Sequence, residues 1–319
     1  MTVELLIEHE GILYAPAVEE GITWQTDRYG SPGELNFTVI RDSVLKVSSG
    51  DAVRLAVDGT GIFYGFVFQR TPKKGGTMEV KAYDQLRYFK NKDTYVYENK
   101  TAGELLQMLC ADFNLNAGQI EDTGYKIESR VEDGQTLFDI MQNALDITLL
   151  NTGQMYVMFD DFGALALRNI SGMAYNLLIS ENTAEDYKYT VSIDGETSNQ
   201  IKLVFDNEET GKRDVYMTKH TGNINKWGIL QYYDTLQKGE NGAAKAEALL
   251  SLYNKETRNL SISNAFGDVN IRAGCMIVTM LDLGDMQLSN LMLVEKCKHT
   301  FQENVHFMDL TLRGSGIDA

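Results

Sequence analysis

Cys297 and His299 stand two residues apart, so an extended strand presents both side chains on one face. Cys275 lies on a segment that could be the neighbouring strand, and with His306 as a fourth ligand the set has the chemistry of a tetrahedral zinc site. The paired Cys-x-x-Cys spacing of such sites is missing, and buried thiols beside a surface histidine explain the same residues without a metal. Asp160 with Asp161, and Glu208 with Glu209, are carboxylate pairs that raise glycoside hydrolysis. That chemistry needs two carboxyls about 5–9 Å apart across a cleft. Both pairs fall in predicted turns, where charged turn tips account for them better. Trp227, Tyr232 and Tyr233 could form a sugar platform or pack in a core or interface. No GxGxxG, P-loop, HExxH or GxSxG motif occurs. No catalytic, cofactor-binding or metal residue is therefore assigned, and no cofactor is expected.

The composition is that of an ordinary globular protein. Its 319 residues are enough for two or three domains, and 43% hydrophobic with 23% charged residues is an ordinary globular balance. Sixteen Tyr and 13 Phe against three Pro suit many strands. Three cysteines, Cys110, Cys275 and Cys297, read as reduced thiols of a cytosol-made protein. The first residues lack a basic segment followed by an apolar core, so no signal peptide is expected, and no apolar run reaches the roughly 20 residues of a membrane helix. The net charge of −16 disfavours stable binding to phosphate backbones.

The elements that position these residues form a pattern that occurs twice. Residues 35–39 alternate, Gly50 launches a strand over 50–57, a second strand covers 62–68 and a third 78–83. Near the end, residues 260–263 alternate, Gly274 launches 274–280, and strands follow at 291–295 and 307–312. Gly50 and Gly274 are expected to open equivalent strands. The fold class is α+β and mainly β: two similar small β-barrels with an inserted α/β domain. The expected division is 1–92 for the first barrel, 93–175 for the α/β domain, and 176–319 for a strand-rich region holding one helix and the second barrel.

Between the two sets the period changes. Thr101 and Glu104 form a capping box ahead of the stripe Leu105, Leu106, Met108, Leu109 and Phe113. A second helix starts near Thr136, and residues 155–159 face 164–167 as a β-hairpin. Residues 90–93 read as a charged connector. Further on, residues 198–205 and 214–218 are strands around a polar turn at 207–212, and a further strand covers 227–233. A helix runs from Gly242 to about Glu256, with Ala246, Leu249, Leu250 and Tyr253 as its buried stripe. Residues 314–319 are expected to be mobile.

Three blocks of sequence carry a family resemblance. The first is residues 80–95 (VKAYDQLRYFKNKDTY), continuing through 100–104 (KTAGE) and 112–115 (DFNL). The second is 198–203 (SNQIKL), 209–216 (ETGKRDVY) and 224–232 (INKWGILQY). The third is 272–274 (RAG) leading to 293–295 (LVE). In these blocks the chain resembles the XkdQ/YqbQ-type tail proteins of Gram-positive prophages and phage-tail-like bacteriocins with contractile tails.

The resemblance implies a baseplate hub, a structural virion component with the architecture of myophage and type VI secretion spike hubs. It implies a homotrimer whose two barrels per chain make a pseudo-hexameric ring. Tail tube proteins would lie above it, the central spike and other baseplate proteins below. DNA or a tape measure would pass through its lumen without stable binding, and no membrane is involved. The implied location is the tail baseplate of a virion or tail-like particle made in the bacterial host cytoplasm. Part of the charge, −48 for three chains of −16, is expected to line that lumen. Some hubs carry a fused peptidoglycan hydrolase, for which this chain has no room. The alternatives are a stand-alone cell-wall or carbohydrate-binding β-protein, marked by an exposed aromatic groove, and a wall hydrolase, which needs a paired acid and base or a metal.

Overall fold

The computed structural model describes residues 1–19, 21–180, 183–207, 211–236, 240–282 and 287–314. The Glu208 and Glu209 pair, part of the 207–212 turn and residues 315–319 lie outside the described residues. The fold is α+β and mainly β, as the alternation predicts. The chain divides into two compact units: residues 1–149, 154–188 and 260–319 form the first, residues 150–153 and 189–259 the second.

The first unit opens with strands β1 (Val3–His9), β2 (Ile12–Tyr14), β3 (Ile22–Asp27), β4 (Glu34–Ile40), β5 (Ala52–Val57), β6 (Thr60–Pro72) and β7 (Thr77–Tyr83). Period-two burial along β3, β4, β5 and β7 puts Trp24, Leu35, Phe37, Leu55 and Val80 into one core. A short 3-10 turn at Gln85–Lys90 leads to β8 (Lys92–Lys100), α1 (Ala102–Asp112), β9 (Ala117–Ile120), β10 (Ile127–Thr136), α2 (Leu137–Thr152), β11 (Tyr156–Asp160) and β12 (Leu165–Asn169). The capping box forms: Thr101 accepts from the Glu104 amide, and Glu104 accepts from the Thr101 amide. Leu105, Leu106 and Leu109 pack with Ile140 and Met141 of α2 in a second core. The predicted hairpin is β11 against β12. The charged connector is shorter than expected, because Lys92 and Asp93 already belong to β8, which pairs with β10.

The chain continues through β13 (Ala174–Ser180), β14 (Asp186–Ser192), β15 (Gln200–Asn207), β16 (Lys212–Lys219), α3 (Thr221–Trp227), β17 (Gln231–Thr235), α4 (Gly242–Tyr253), β18 (Thr257–Phe266), β19 (Met276–Asp282), β20 (Gln287–Gln302) and β21 (Val305–Gly314). The two strand sets join in one 13-stranded sheet, ordered β14-β18-β21-β20-β3-β4-β7-β6-β5-β1-β2, with β19 pairing β20 and β13. The second unit contains the sheet β16-β15-β17. Ile201 and Leu203 of β15 pack there with Ala246 and Leu249 of α4. In chain order this unit occupies the place of a turn, since β14 precedes β18 as β3 precedes β4.

The strand expected over 227–233 is a correction. Residues 221–227 are helical because the His220 ring caps the Asn223 amide and Gly228, at φ 78°, ends the turn. The strand begins only at Gln231.

Candidate functional site

The repeated glycines open equivalent strands. Gly50 has φ 92° and Gly274 φ 94°, a left-handed conformation that glycine adopts without a Cβ penalty. The Gly50 amide donates to the Val67 carbonyl (2.8 Å), the Val67 amide to the Asp51 carbonyl (2.9 Å), and the Asp51 amide to the Ser48 carbonyl (3.3 Å). In the second set the Gly274 amide donates to Val294 (2.8 Å), Val294 to Cys275 (2.8 Å), and Cys275 to Arg272 (3.2 Å). A register shift follows each valine, between Val67 and Gln69 against β7 and between Val294 and Lys296 against β21. Such bulges bend and twist a strand at a fixed place. Two stretches of unlike sequence thus build the same turn, ladder and bulge.

The sets meet where β20 pairs β3, Lys296 to Phe301 against Asp27 to Ile22. Arg28 closes one end, its Nε 2.7 Å from Glu295 Oε2 and its amide donating to the Glu295 carbonyl. In the middle His299, fully buried, stands opposite Trp24 and stacks on it with ring centroids 4.6 Å apart. His299 Nε2 lies 2.9 Å from the Ile271 carbonyl, which only accepts, so this nitrogen carries the proton. His299 Nδ1 then accepts from His306 Nε2 at 2.8 Å. Both rings are held neutral: burial pushes His299 down to about 3 and His306 to about 4, each helped or opposed by smaller charge effects.

Of the four candidate metal ligands, the fold brings three together. Cys297 Sγ lies 3.1 Å from His299 Nε2, but Cys275 turns instead to the Asn270 carbonyl, 3.8 Å away. The nitrogen that would face Cys297 is committed to a backbone carbonyl, so the cluster is a hydrogen-bonded chain. Among the described residues no group of three His, Cys, Asp or Glu has ligand geometry. All three cysteines are free and buried. Burial raises each thiol, Cys110 to about 11, which keeps them protonated and inert.

Asp160 departs from the turn-tip expectation. It is the last residue of β11 and only 5% exposed, whereas Asp161 is exposed. The Asp160 carboxylate accepts from the Gly163 amide (2.6 Å) and from Gln85 Nε2 (3.2 Å). Asp84, also buried, accepts from the Gly33 amide (2.8 Å) and the Leu86 amide (3.0 Å). Arg272, two residues before the second turn glycine, donates from Nη2 to the Asp160 carbonyl (2.8 Å) and lies 4.1 Å over the Phe159 ring. Burial raises both carboxyls and lowers the guanidinium, while the opposite charges partly offset this. Each oxygen of the Asp84 and Asp160 carboxyls accepts at least one backbone or amide donor. With Arg272 they tie the second turn to the β11–β12 hairpin and the start of the 3-10 turn, fixing the local geometry.

The aromatic run splits. Tyr232 stacks on Tyr253 inside the second unit, while Tyr233 is on the opposite face of β17 and 51% exposed. Trp227 belongs to α3. The three do not form one platform. A groove of about 250 Å³ beside Asn36, Thr38, Gln69, Thr71 and Lys81 is smaller than the roughly 300–1,000 Å³ of ligand pockets.

A family model described as YqbQ-like matches residues 22–313. The chain belongs to the YqbQ-like family. It is 29% identical to the uncharacterized protein YqbQ of Bacillus subtilis (strain 168) over 303 residues, 92% of this chain and 91% of that protein. The phage-like element PBSX protein XkdQ of the same organism is 27% identical, with the same coverage. The fold is similar to that of the 43 kDa tail protein of prophage MuSo2 from Shewanella oneidensis, with TM-score 0.71 and 11% identity over 97% of this chain and 98% of that one.

Trp24, Asp84 and Arg272 do not stand out by spacing or periodicity. A signal for two of them was present, since Asp84 with Gln85, and Arg272 with Gly274, fall inside the blocks that carry the family resemblance.

Proposed function

We propose that this chain is a structural, non-catalytic baseplate hub of a contractile phage tail or phage-tail-like particle, adapting a six-fold tail tube to a three-fold central spike. One observation carries the reading: the Gly50 and Gly274 turns have the same hydrogen bonds and the same following bulge. A duplicated unit lets three chains offer six quasi-equivalent surfaces to a six-fold partner while remaining three-fold themselves. On this reading residues 1–92 and the second strand set within 176–319 each supply one lobe, and 93–175 lies beside the ring. The names of a related phage-like element protein and of a prophage tail protein of the same fold support it.

Tail tube proteins above, spike and baseplate proteins below, and a passing DNA or tape measure that does not bind stably are the partners this role requires. The acidic balance would keep a polyanion from adhering to the lumen; a neutral or basic lumen contradicts that part. The buried, backbone-bonded Asp84 and Asp160 carboxyls argue against a wall hydrolase, and the split of Tyr232 from Tyr233 argues against an aromatic sugar groove. Two assays test the reading: solution mass with negative-stain imaging, where trimeric six-lobed rings are expected, and peptidoglycan turnover, where none above background is expected.

A further inference from the structure

The two strand sets differ at one slot, and the difference defines an interaction edge. On β20 the stretch after the bulge is covered: β3 lies along it, and Cys297, His299 and Phe301 are buried. The Glu295 and Phe301 carbonyls, which accept from Arg28 and Gly21, place the backbone groups of every second residue on the β3 side. Counting equally from Val67 and Val294 matches Phe68, Arg70, Pro72 and Lys74 to Glu295, Cys297, His299 and Phe301. On β6 these positions are exposed, because β5 pairs only as far as Phe66 and β7 holds the other side. Lys73 donates to the Thr77 carbonyl on the β7 side, so Phe68 and Arg70 direct their backbone groups to the side away from β7. Among the described residues no strand fills on β6 the slot that β3 fills on β20, and the nearest neighbour there is the Val47 carbonyl, which accepts from Arg70 Nη1 at 2.6 Å.

The strand that corresponds to β3 is β14, since each precedes and lies beside the first strand of its set, β4 or β18. Among the described residues β14 ends the sheet path, so one of its edges has no strand beside it. The geometry points to a head-to-tail contact in which β14 of one chain adds to this edge of β6 in a second copy, as β3 adds to β20 within one chain. With half-buried Tyr187 set where Trp24 stands, Asp186 comes opposite Lys73 and Glu185 opposite Lys74. The charges are complementary in that register. Pro72 carries no amide, so the ladder offered on this edge consists of Phe68, Arg70 and the Pro72 carbonyl. A contact that uses two different edges closes into a ring when the rotation allows it.

The inference rests on the trimeric hub reading and is tested separately from it. Thr71→Cys is combined in one full-length chain with Asp186→Cys, Lys188→Cys or Thr190→Cys, positions two residues apart along one strand face. Mild oxidation should give a covalently closed trimer of 107.4 kDa (3 × 35.8 kDa) on a non-reducing denaturing gel for one pairing, and none for Thr71→Cys alone. Lys73→Glu with Lys74→Glu should lower the trimer fraction at least tenfold, and adding Glu185→Lys with Asp186→Lys should restore it. A trimer that no pairing links, with a mass unmoved by the charge reversal, overturns the strand contact and leaves the hub standing. A chain that stays at 35.8 kDa at every concentration overturns both.

Discussion

Acidification should destabilise this protein through His299 before it titrates most exposed carboxylates. Burial lowers the pKa of this ring to about 3, against 6.5 for the ordinary histidine of an unfolded chain. Because the folded value is the lower one, the unfolded state takes up the proton first. The stabilising contribution is complete above about pH 6.5 and is lost as the pH falls toward 3. At pH 5 the unfolded chain gains RT ln(1 + 10^1.5), about 2 kcal/mol relative to the fold, or roughly a thirtyfold change in the unfolding constant. His306 acts in the same direction but is partly solvated and contributes less. The raised Asp84 and Asp160 carboxyls act in the opposite direction, so the histidine term must be isolated by difference. Trp24 stacks on His299 and reports on it directly; Trp227→Phe removes the other tryptophan signal. Urea unfolding followed by Trp24 fluorescence at pH 7 and pH 5, in chains with His299 or His299→Gln, gives that difference. The chain with His299 should lose about 2 kcal/mol more on acidification. Equal losses within about 0.5 kcal/mol would refute the neutral buried histidine and the hydrogen-bond assignment built on it.

Three further expectations concern stability and are read by urea unfolding. Gly274→Ala should cost more than Gly50→Ala: both place a side chain at a φ that costs about 1–3 kcal/mol, but only at Gly274 would the Cβ fall 2.8 Å from Val157. Equal costs would mean that the second turn is not packed against the hairpin. Gly33→Ala puts a Cβ 2.3 Å from Asp84 Oδ2 and should cost about 1–3 kcal/mol by displacing a buried carboxylate from its donors. A neutral result would show that Asp84 is not held there. Thr101→Ala removes half of the capping box and should cost about 1 kcal/mol, with Thr101→Ser recovering most of it.

The features legible in the sequence are those encoded locally. Gly50 and Gly274 mark turns because a left-handed residue excludes most side chains. Thr101 with Glu104 marks α1 because its capping groups lie three residues apart. The β11–β12 hairpin shows in alternation around a four-residue loop. What stayed hidden depends on partners distant in the chain. Period-two alternation in β15 says nothing of its parallel partner β17, nor could Leu165 and Leu167 reveal pairing with β9. The helix α3 escaped because its cap is a histidine, and Trp227 and Ile229 continue an apolar pattern that reads equally as a strand. Asp160 looked like a turn residue because its donors, Gln85 and Gly163, and its neighbour Arg272 are assembled only by folding. His299 was found, but as a ligand candidate; the Ile271 carbonyl that occupies its Nε2 is invisible in sequence.

In the proposed role the duplicated strand set builds a three-fold assembly with six similar lobes. Light scattering of the full-length chain tests it most directly. The expected mass is 107.4 kDa, three times 35.8 kDa, with six-lobed rings in negative stain of the same fraction. A single species of 35.8 kDa that persists at every concentration and shows no rings would contradict it.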